Sequence, residues 1–335
     1  MKPVVFGLSG PVLSAEERDF FADVDPAGYV LFKRNIVDRL QLRTLTDHLR
    51  ALHGRDALPI MIDQEGGPVM RMAPPIWPDF PAAAAFDALY ERAPISALEA
   101  VRVNARAIGL MLSEVGININ IAPVLDVRRP ETHAAIGARS FGIDPMRVAS
   151  MGAAVLDGLR QAGVVGVIKH LPGQGRAALD THHHLPVVEA SDAELADDLF
   201  PFERLKAAPI AMTGHVMFTA WDAQHPATMS ATIIHDIIRG RIGFDGLLIS
   251  DDLDMAALSG DVATRAVACL AAGCDVALHC SGTMDNMVTI SEHVPDMTDA
   301  ATGRLASAMA TIRPVEASGS IAALIAKRDE LLALV

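Results

Sequence analysis

Eight short apolar runs, most of them rich in β-branched residues, recur along the chain, with helix-like segments between them. They are Val4–Leu8, Tyr29–Phe32, Ile60–Asp63, Ile117–Ala122, Val164–His170, Ile210–Gly214, Leu247–Asp251 and Val276–Cys280. Strands that alternate with helices predict a parallel sheet, because two parallel neighbours need a crossover between them. Most of the runs are continuously apolar, as expected of strands covered on both faces. Eight such units predict an α/β fold of the TIM type, a single-domain (β/α)₈ barrel over residues 1–335. The competing open doubly wound sheet calls for a Gly-rich fingerprint after the first strand. The segment there, GLSGPVLS, does not supply it.

The intervening segments read as helices over 14–22, 38–52, 86–115, 145–162, 192–207, 230–242 and 261–272, with a closing helix over 321–334. Ser14-Ala15-Glu16-Glu17 is a capping-box pattern at the first of them. Two long irregular stretches, 74–85 and 171–186, interrupt the rhythm, and long loops in a compact domain usually carry function. Composition limits the partners. Lys and Arg number 28 against 41 Asp and Glu, a net charge of −13 that disfavours nucleic acid and anionic membranes. No run reaches the roughly 18 apolar residues of a membrane span. The first residues lack a signal-peptide core. Cys269, Cys274 and Cys280 fit neither a disulfide framework nor a zinc pattern. These readings predict a cytoplasmic monomer without metal or cofactor.

In a barrel of this type the site lies where the strands end. The second run ends in Lys33-Arg34-Asn35, the third in Asp63-Gln64-Glu65-Gly66-Gly67, and the fourth leads to Asp126. The fifth ends in Lys169-His170, the sixth in His215 and the seventh in Ser250-Asp251-Asp252. So many polar strand ends predict one convergent pocket. Asp251 there is a nucleophile, a base or a ligand; spacing alone does not choose. Asp180 and His182, if extended, lie on one face and can touch, and such a contact makes an imidazole a proton shuttle near neutral pH. An exposed His-rich loop is the competing reading. Asp63 precedes two glycines that allow close approach of a ligand. Glu65 is either a catalytic acid or a structural group, and Arg71, Arg139 and Lys169 are donors or merely solvated charges.

Taken together, IDQEGGPVMR (62–71), NIAPVLDV (120–127), IGARSFG (136–142), KHLPGQG (169–175), LDTHHHLP (179–186) and GFDGLLISDDLDM (243–255) resemble glycoside hydrolase family 3. The match is to its bacterial single-domain β-N-acetylhexosaminidase branch and covers nearly the whole chain. The resemblance implies a retaining, two-step hydrolysis. It places the nucleophile on Asp251 and an acid/base dyad on His182 and Asp180. It places substrate binding on Asp63, Arg71, Arg139, Lys169 and His170. It implies a terminal β-linked N-acetylglucosamine substrate on saccharides or muropeptides, and a role in peptidoglycan recycling. A phosphorylase using the same site, and a non-catalytic sugar-binding barrel, are the alternatives. The chain departs from the family pattern at Pro68, at Gln174 where His is common, and at Arg176-Ala177-Ala178.

Overall fold

The computed structural model describes residues 1–313, 315 and 319–334. Eight parallel strands close into a barrel: β1 (Lys2–Gly7), β2 (Pro26–Leu31), β3 (Ile60–Ile62), β4 (Ile119–Asn120), β5 (Val165–Leu171), β6 (Ile210–Thr213), β7 (Leu247–Asp252) and β8 (Val276–His279). Each pairs with its neighbours in chain order, and β1 closes the ring on β8 through Val4–Ala277, Val5–Leu278 and Phe6–His279. The continuous apolar runs are explained by this closure. Val5, Val30, Met61 and Ile249 point into the barrel, while Val4, Phe6, Tyr29 and Leu31 pack outward against helices. The strands are therefore dry on both faces, and alternation of polar and apolar residues does not develop except around β4, where Asn118 and Asn120 interrupt the run.

Strand β4 is shorter than the apolar run that announces it. Side-chain amides take over its rungs. Asn118 Oδ1 accepts from the Ile60 N–H at 2.8 Å and its Nδ2 donates to the Leu58 carbonyl at 2.8 Å. Asn120 makes the same pair of bonds to the backbone of Gln64, each at 3.0 Å.

Helices α1 (Ala15–Val24), α2 (Arg39–His53), α3 (Ala83–Arg92), α4 (Pro94–Glu114), α5 (Pro145–Gln161), α6 (Asp192–Arg204) and α7 (Val262–Ala272) cover the barrel. Ser14 and Glu17 form the expected capping box on α1. The single helix expected over 86–115 is two helices, because Pro94 has no N–H to continue α3 and instead starts α4. The segment expected as a helix over 230–242 winds as a π-helix over Ile233–Arg241. Two helices, α8 (Met284–His293) and α9 (Asp299–Met309), fall where no helix is expected from the sequence. Leu305, Ala308 and Met309 of α9 join the cluster inside the barrel and plug its N-terminal end. The last helix, α10 (Ile321–Leu332), lies outside, against α4, where Arg328 donates to Asn104 Oδ1 at 3.1 Å. With its floor plugged, the barrel opens at the C-terminal ends of the strands.

Candidate active site

Asp63 stands directly after β3 and is held from two sides. Lys169 Nζ donates to its Oδ1 at 3.1 Å, and Arg71 Nη2 to its Oδ2 at 3.2 Å. Arg71 reaches back because the buried amide of Gln64 folds the chain on itself. Gln64 Oε1 accepts from the Arg71 and Met72 N–H groups, each at 2.9 Å, and Nε2 donates to the Met72 carbonyl at 2.8 Å. The Arg71 guanidinium also lies 5.2 Å from the Phe32 ring centre. Gly66 and Gly67, expected to admit a ligand, admit the chain itself. Both have positive φ, and side chains there would meet Pro81 and Ala82 at 2.5 Å.

Glu65 is a structural group. Arg139 grips it bidentately, Nε to Oε2 and Nη2 to Oε1, each at 2.8 Å, and Lys169 Nζ lies 2.6 Å from Oε1. Burial alone would raise this carboxyl, but Lys169 and Arg139 outweigh it and hold the group at about 2. Arg139 therefore meets the pocket with its charge already paired, and its Nη1 donates to the Ala135 carbonyl at 3.0 Å. Lys169 is 2% exposed, bridging Asp63 and Glu65. The peptide between Lys169 and His170 is cis.

His170 is oriented by the fully buried Asp126. Asp126 Oδ2 lies 2.7 Å from the His170 Nδ1, and Oδ1 accepts the His170 N–H at 3.2 Å and the Gln174 N–H at 2.7 Å. A carboxylate on Nδ1 fixes the proton there and leaves Nε2 for a ligand.

Asp251 and Asp252 end β7. The Asp252 N–H donates to Asp251 Oδ1 at 2.8 Å. Burial alone would raise the Asp251 carboxyl; the His215 and His170 rings, the Asp252 N–H and Lys169 together hold it below the ordinary range. His215 is buried, with Nε2 2.9 Å from the Asp252 carbonyl and Nδ1 2.8 Å from the Thr228 hydroxyl. A carbonyl only accepts, so Nε2 carries a proton directed at Asp252. Burial pushes the His215 imidazole below its ordinary value, against the pull of Asp251.

The Asp180–His182 contact forms, but not on an extended segment. The chain turns here, with the His183 and His184 N–H groups donating to the Asp180 carbonyl. Asp180 Oδ1 accepts the His182 N–H at 3.0 Å and lies 2.7 Å from its Nδ1. A side chain that caps the backbone two residues on makes an Asx turn, and it brings the imidazole onto the same oxygen. The bonds to His182 outweigh burial and hold the Asp180 carboxyl below the ordinary range. The ring itself is 63% exposed. The turn docks on the segment after β7, where Ala256 N–H donates to the His182 carbonyl at 3.3 Å and Ala257 N–H to the Thr181 carbonyl at 3.2 Å.

Asp63, Arg71, Arg139, Lys169, His170, Asp180, His182 and Asp251 all line one cavity. Lys33-Arg34-Asn35, expected in the polar ring, does other work. Arg34 and Asn35 hold the backbone after β1, through the Leu8 and Gly10 carbonyls. Asp126 and His215 were visible as strand ends, but nothing in their spacing told that one orients His170 and the other backs Asp251.

The sequence matches the model of the glycosyl hydrolase family 3 N terminal domain over residues 7–312. A β-hexosaminidase of Alkalilimnicola ehrlichii is 39% identical over 303 residues, covering 88% of this chain and 84% of the relative. One from Xanthomonas oryzae is 41% identical over 288 residues, 83% of each chain. The crystal structure of native NagZ from Neisseria gonorrhoeae superposes with a TM-score of 0.88 at 31% identity, covering 99% of this chain and 97% of that one. The same protein in complex with N-trifluoroacetyl-D-glucosamine gives 0.87 at 30% identity, covering 99% and 98%. A family model that runs from the first strand past the plug of the barrel, with relatives alike over most of their length, places this chain in glycosyl hydrolase family 3.

Proposed function

We propose that this chain is a retaining exo-β-N-acetylglucosaminidase that removes terminal β-linked N-acetylglucosamine through a covalent glycosyl-Asp251 intermediate. The observation that carries the reading is the pairing, on one cavity, of a carboxylate kept ionised with an imidazole that is exposed and oriented by Asp180. Asp251 attacks the anomeric carbon. His182, protonated at the nitrogen remote from Asp180, gives its proton to the departing oxygen. The same nitrogen then takes a proton from water as water displaces Asp251, so that two inversions give net retention. Asp180 keeps the ring in the tautomer that this exchange needs and stabilises its cationic form. Asp63, Arg71, Lys169 and His170 bind the sugar hydroxyls, and Arg139 supports that wall through Glu65.

The relatives' names support a β-linked hexosamine. N-acylation is supported by the ligand of a structural neighbour, the N-trifluoroacetyl-D-glucosamine bound by the gonococcal protein. We assign the substrate more finely to cell-wall fragments, muropeptides among them, met by a monomeric bacterial enzyme in the cytoplasm during peptidoglycan recycling. Among the described residues no helix is long and apolar enough to cross a membrane.

The test is kinetic and stereochemical. Asp251→Ala should abolish turnover. His182→Ala should cripple kcat/KM for an unactivated disaccharide while sparing kcat/KM for aryl glycosides that leave without a proton. NMR of the first product should show the β-anomer, and an α-anomer would eliminate Asp251 as nucleophile. Initial rates with and without phosphate separate hydrolysis from phosphorolysis.

A further inference from the structure

Gln174 joins the sugar-binding side of the cavity to the acid/base side. It is buried, at 5% exposure, and lines the cavity with His170, Asp180, Thr181 and His182. Its N–H donates to Asp126 Oδ1 at 2.7 Å, and the other oxygen of that carboxylate holds the His170 ring. Its side-chain Nε2 lies 3.5 Å from the Thr181 hydroxyl, a long hydrogen bond. Thr181 is buried at 3% exposure and sits between the two members of the dyad. An unbroken run of contacts thus leads from His170 through Asp126, Gln174 and Thr181 to Asp180 and His182. The seat for this amide is built for it. A side chain at Gly214 would come within 3.2 Å of both Gln174 Oε1 and His170 Cβ. Oε1 is buried without a hydrogen-bond partner. A buried orphan acceptor costs stability, so an apolar residue would suit the fold better than this amide does.

We infer that Gln174 is a positioning residue: its amide clamps Thr181 and so sets where the Asp180–His182 dyad stands relative to the sugar-binding imidazole. The inference rests on the reading of His182 as the proton donor. Gln174→Ala removes the clamp but keeps the backbone bond to Asp126. Proton donation should then suffer while nucleophilic attack does not. A small displacement of a catalytic group lowers rates by roughly ten- to a hundredfold.

The experiment compares kcat/KM, which reports the bond-breaking first step alone, for N,N′-diacetylchitobiose, whose departing alcohol needs the proton, and for 4-nitrophenyl β-N-acetylglucosaminide, whose leaving group does not. Wild type, Gln174→Ala, Thr181→Val, the double variant, Thr181→Ser and His182→Ala are measured side by side, with thermal unfolding as a check on folding. The expected result is a roughly ten- to a hundredfold loss on the disaccharide, within about threefold on the aryl glycoside, for both Gln174→Ala and Thr181→Val. The double variant should lose no more than the worse single one. Thr181→Ser should restore the rate. Equal losses on the two substrates, or multiplying losses in the double variant, would overturn the inference while a selective His182→Ala left the dyad reading standing. A non-selective His182→Ala would overturn both. If Gln174→Ala proves unfolded, the near-isosteric Thr181→Val decides alone by the same criterion.

Discussion

Replacing Asp252 with asparagine should make this protein more stable at neutral and alkaline pH. The carboxyl stands between Asp251 and Asp254, and its Oδ1 accepts from the Asp254 N–H at 3.1 Å and the Cys280 N–H at 3.2 Å. Burial first, and then the charges of Asp254 and Asp251, raise it from 3.8 to about 6, against the pull of the Asp254 N–H and His279. The folded state therefore holds this proton more tightly than the unfolded chain does. Between those two values folding takes up a proton. Below pH 3.8 the group costs nothing; above about pH 6 the folded protein bears the full penalty. A difference of this size between folded and unfolded chain corresponds to about 3 kcal/mol. Asparagine keeps an oxygen for the two N–H donors and carries no charge. Urea unfolding should then find Asp252→Asn more stable by up to about 3 kcal/mol at pH 8, about half that at pH 5, and less than about 1 kcal/mol at pH 4. A difference that is absent at pH 8, or the same at pH 4 and pH 8, refutes the reasoning. Selection retains a costly carboxylate where activity requires it, so the stabilised variant should also be the slower enzyme.

Three further outcomes can be checked. Glu65→Gln leaves Arg139 and Lys169 with an unbalanced buried charge, and chemical denaturation should show a loss of about 3–5 kcal/mol. Leu305→Ala opens a gap in the barrel plug and should cost about 2–4 kcal/mol by the same assay, with KM unchanged because the plug is at the far end from the cavity. His182→Ala should flatten the alkaline limb of the pH–rate profile for N,N′-diacetylchitobiose, whose leaving group needs the proton, while Asp251→Ala leaves no activity to profile.

The barrel was legible because most of its strands are dry on both faces and so write their apolar character without interruption. What the sequence hid were elements held by other means. β4 is barely a strand because Asn118 and Asn120 replace backbone rungs with amides. Helix α9 is built from Ala, Gly, Ser and Thr around a few apolar residues, so no broad stripe marks it, yet three of its side chains fill the barrel floor. Helix α8 carries polar residues among its apolar ones and was equally silent. In the site, the motifs placed all eight candidate side chains around one cavity. Their pairings were invisible, because a bidentate Arg139–Glu65 grip depends on loops brought together from 74 residues apart. The glycine pair misled for a related reason: the sequence shows that something must pass close by, not what passes.

The Asp180–His182 turn is fastened to the chain that follows Asp251 by two main-chain hydrogen bonds, from Ala256 and Ala257. Main-chain fastening makes the registration between the His182 turn and Asp251 independent of the side chain at the exposed position 256. Drift at that position is therefore neutral as long as its N–H group remains, whereas Ala257 is buried and its size is constrained by packing. Proline alone among the common residues would erase the N–H at 256. Position 256 is thus open ground for altering what the rim of the cavity touches, with the distance between His182 and Asp251 kept constant.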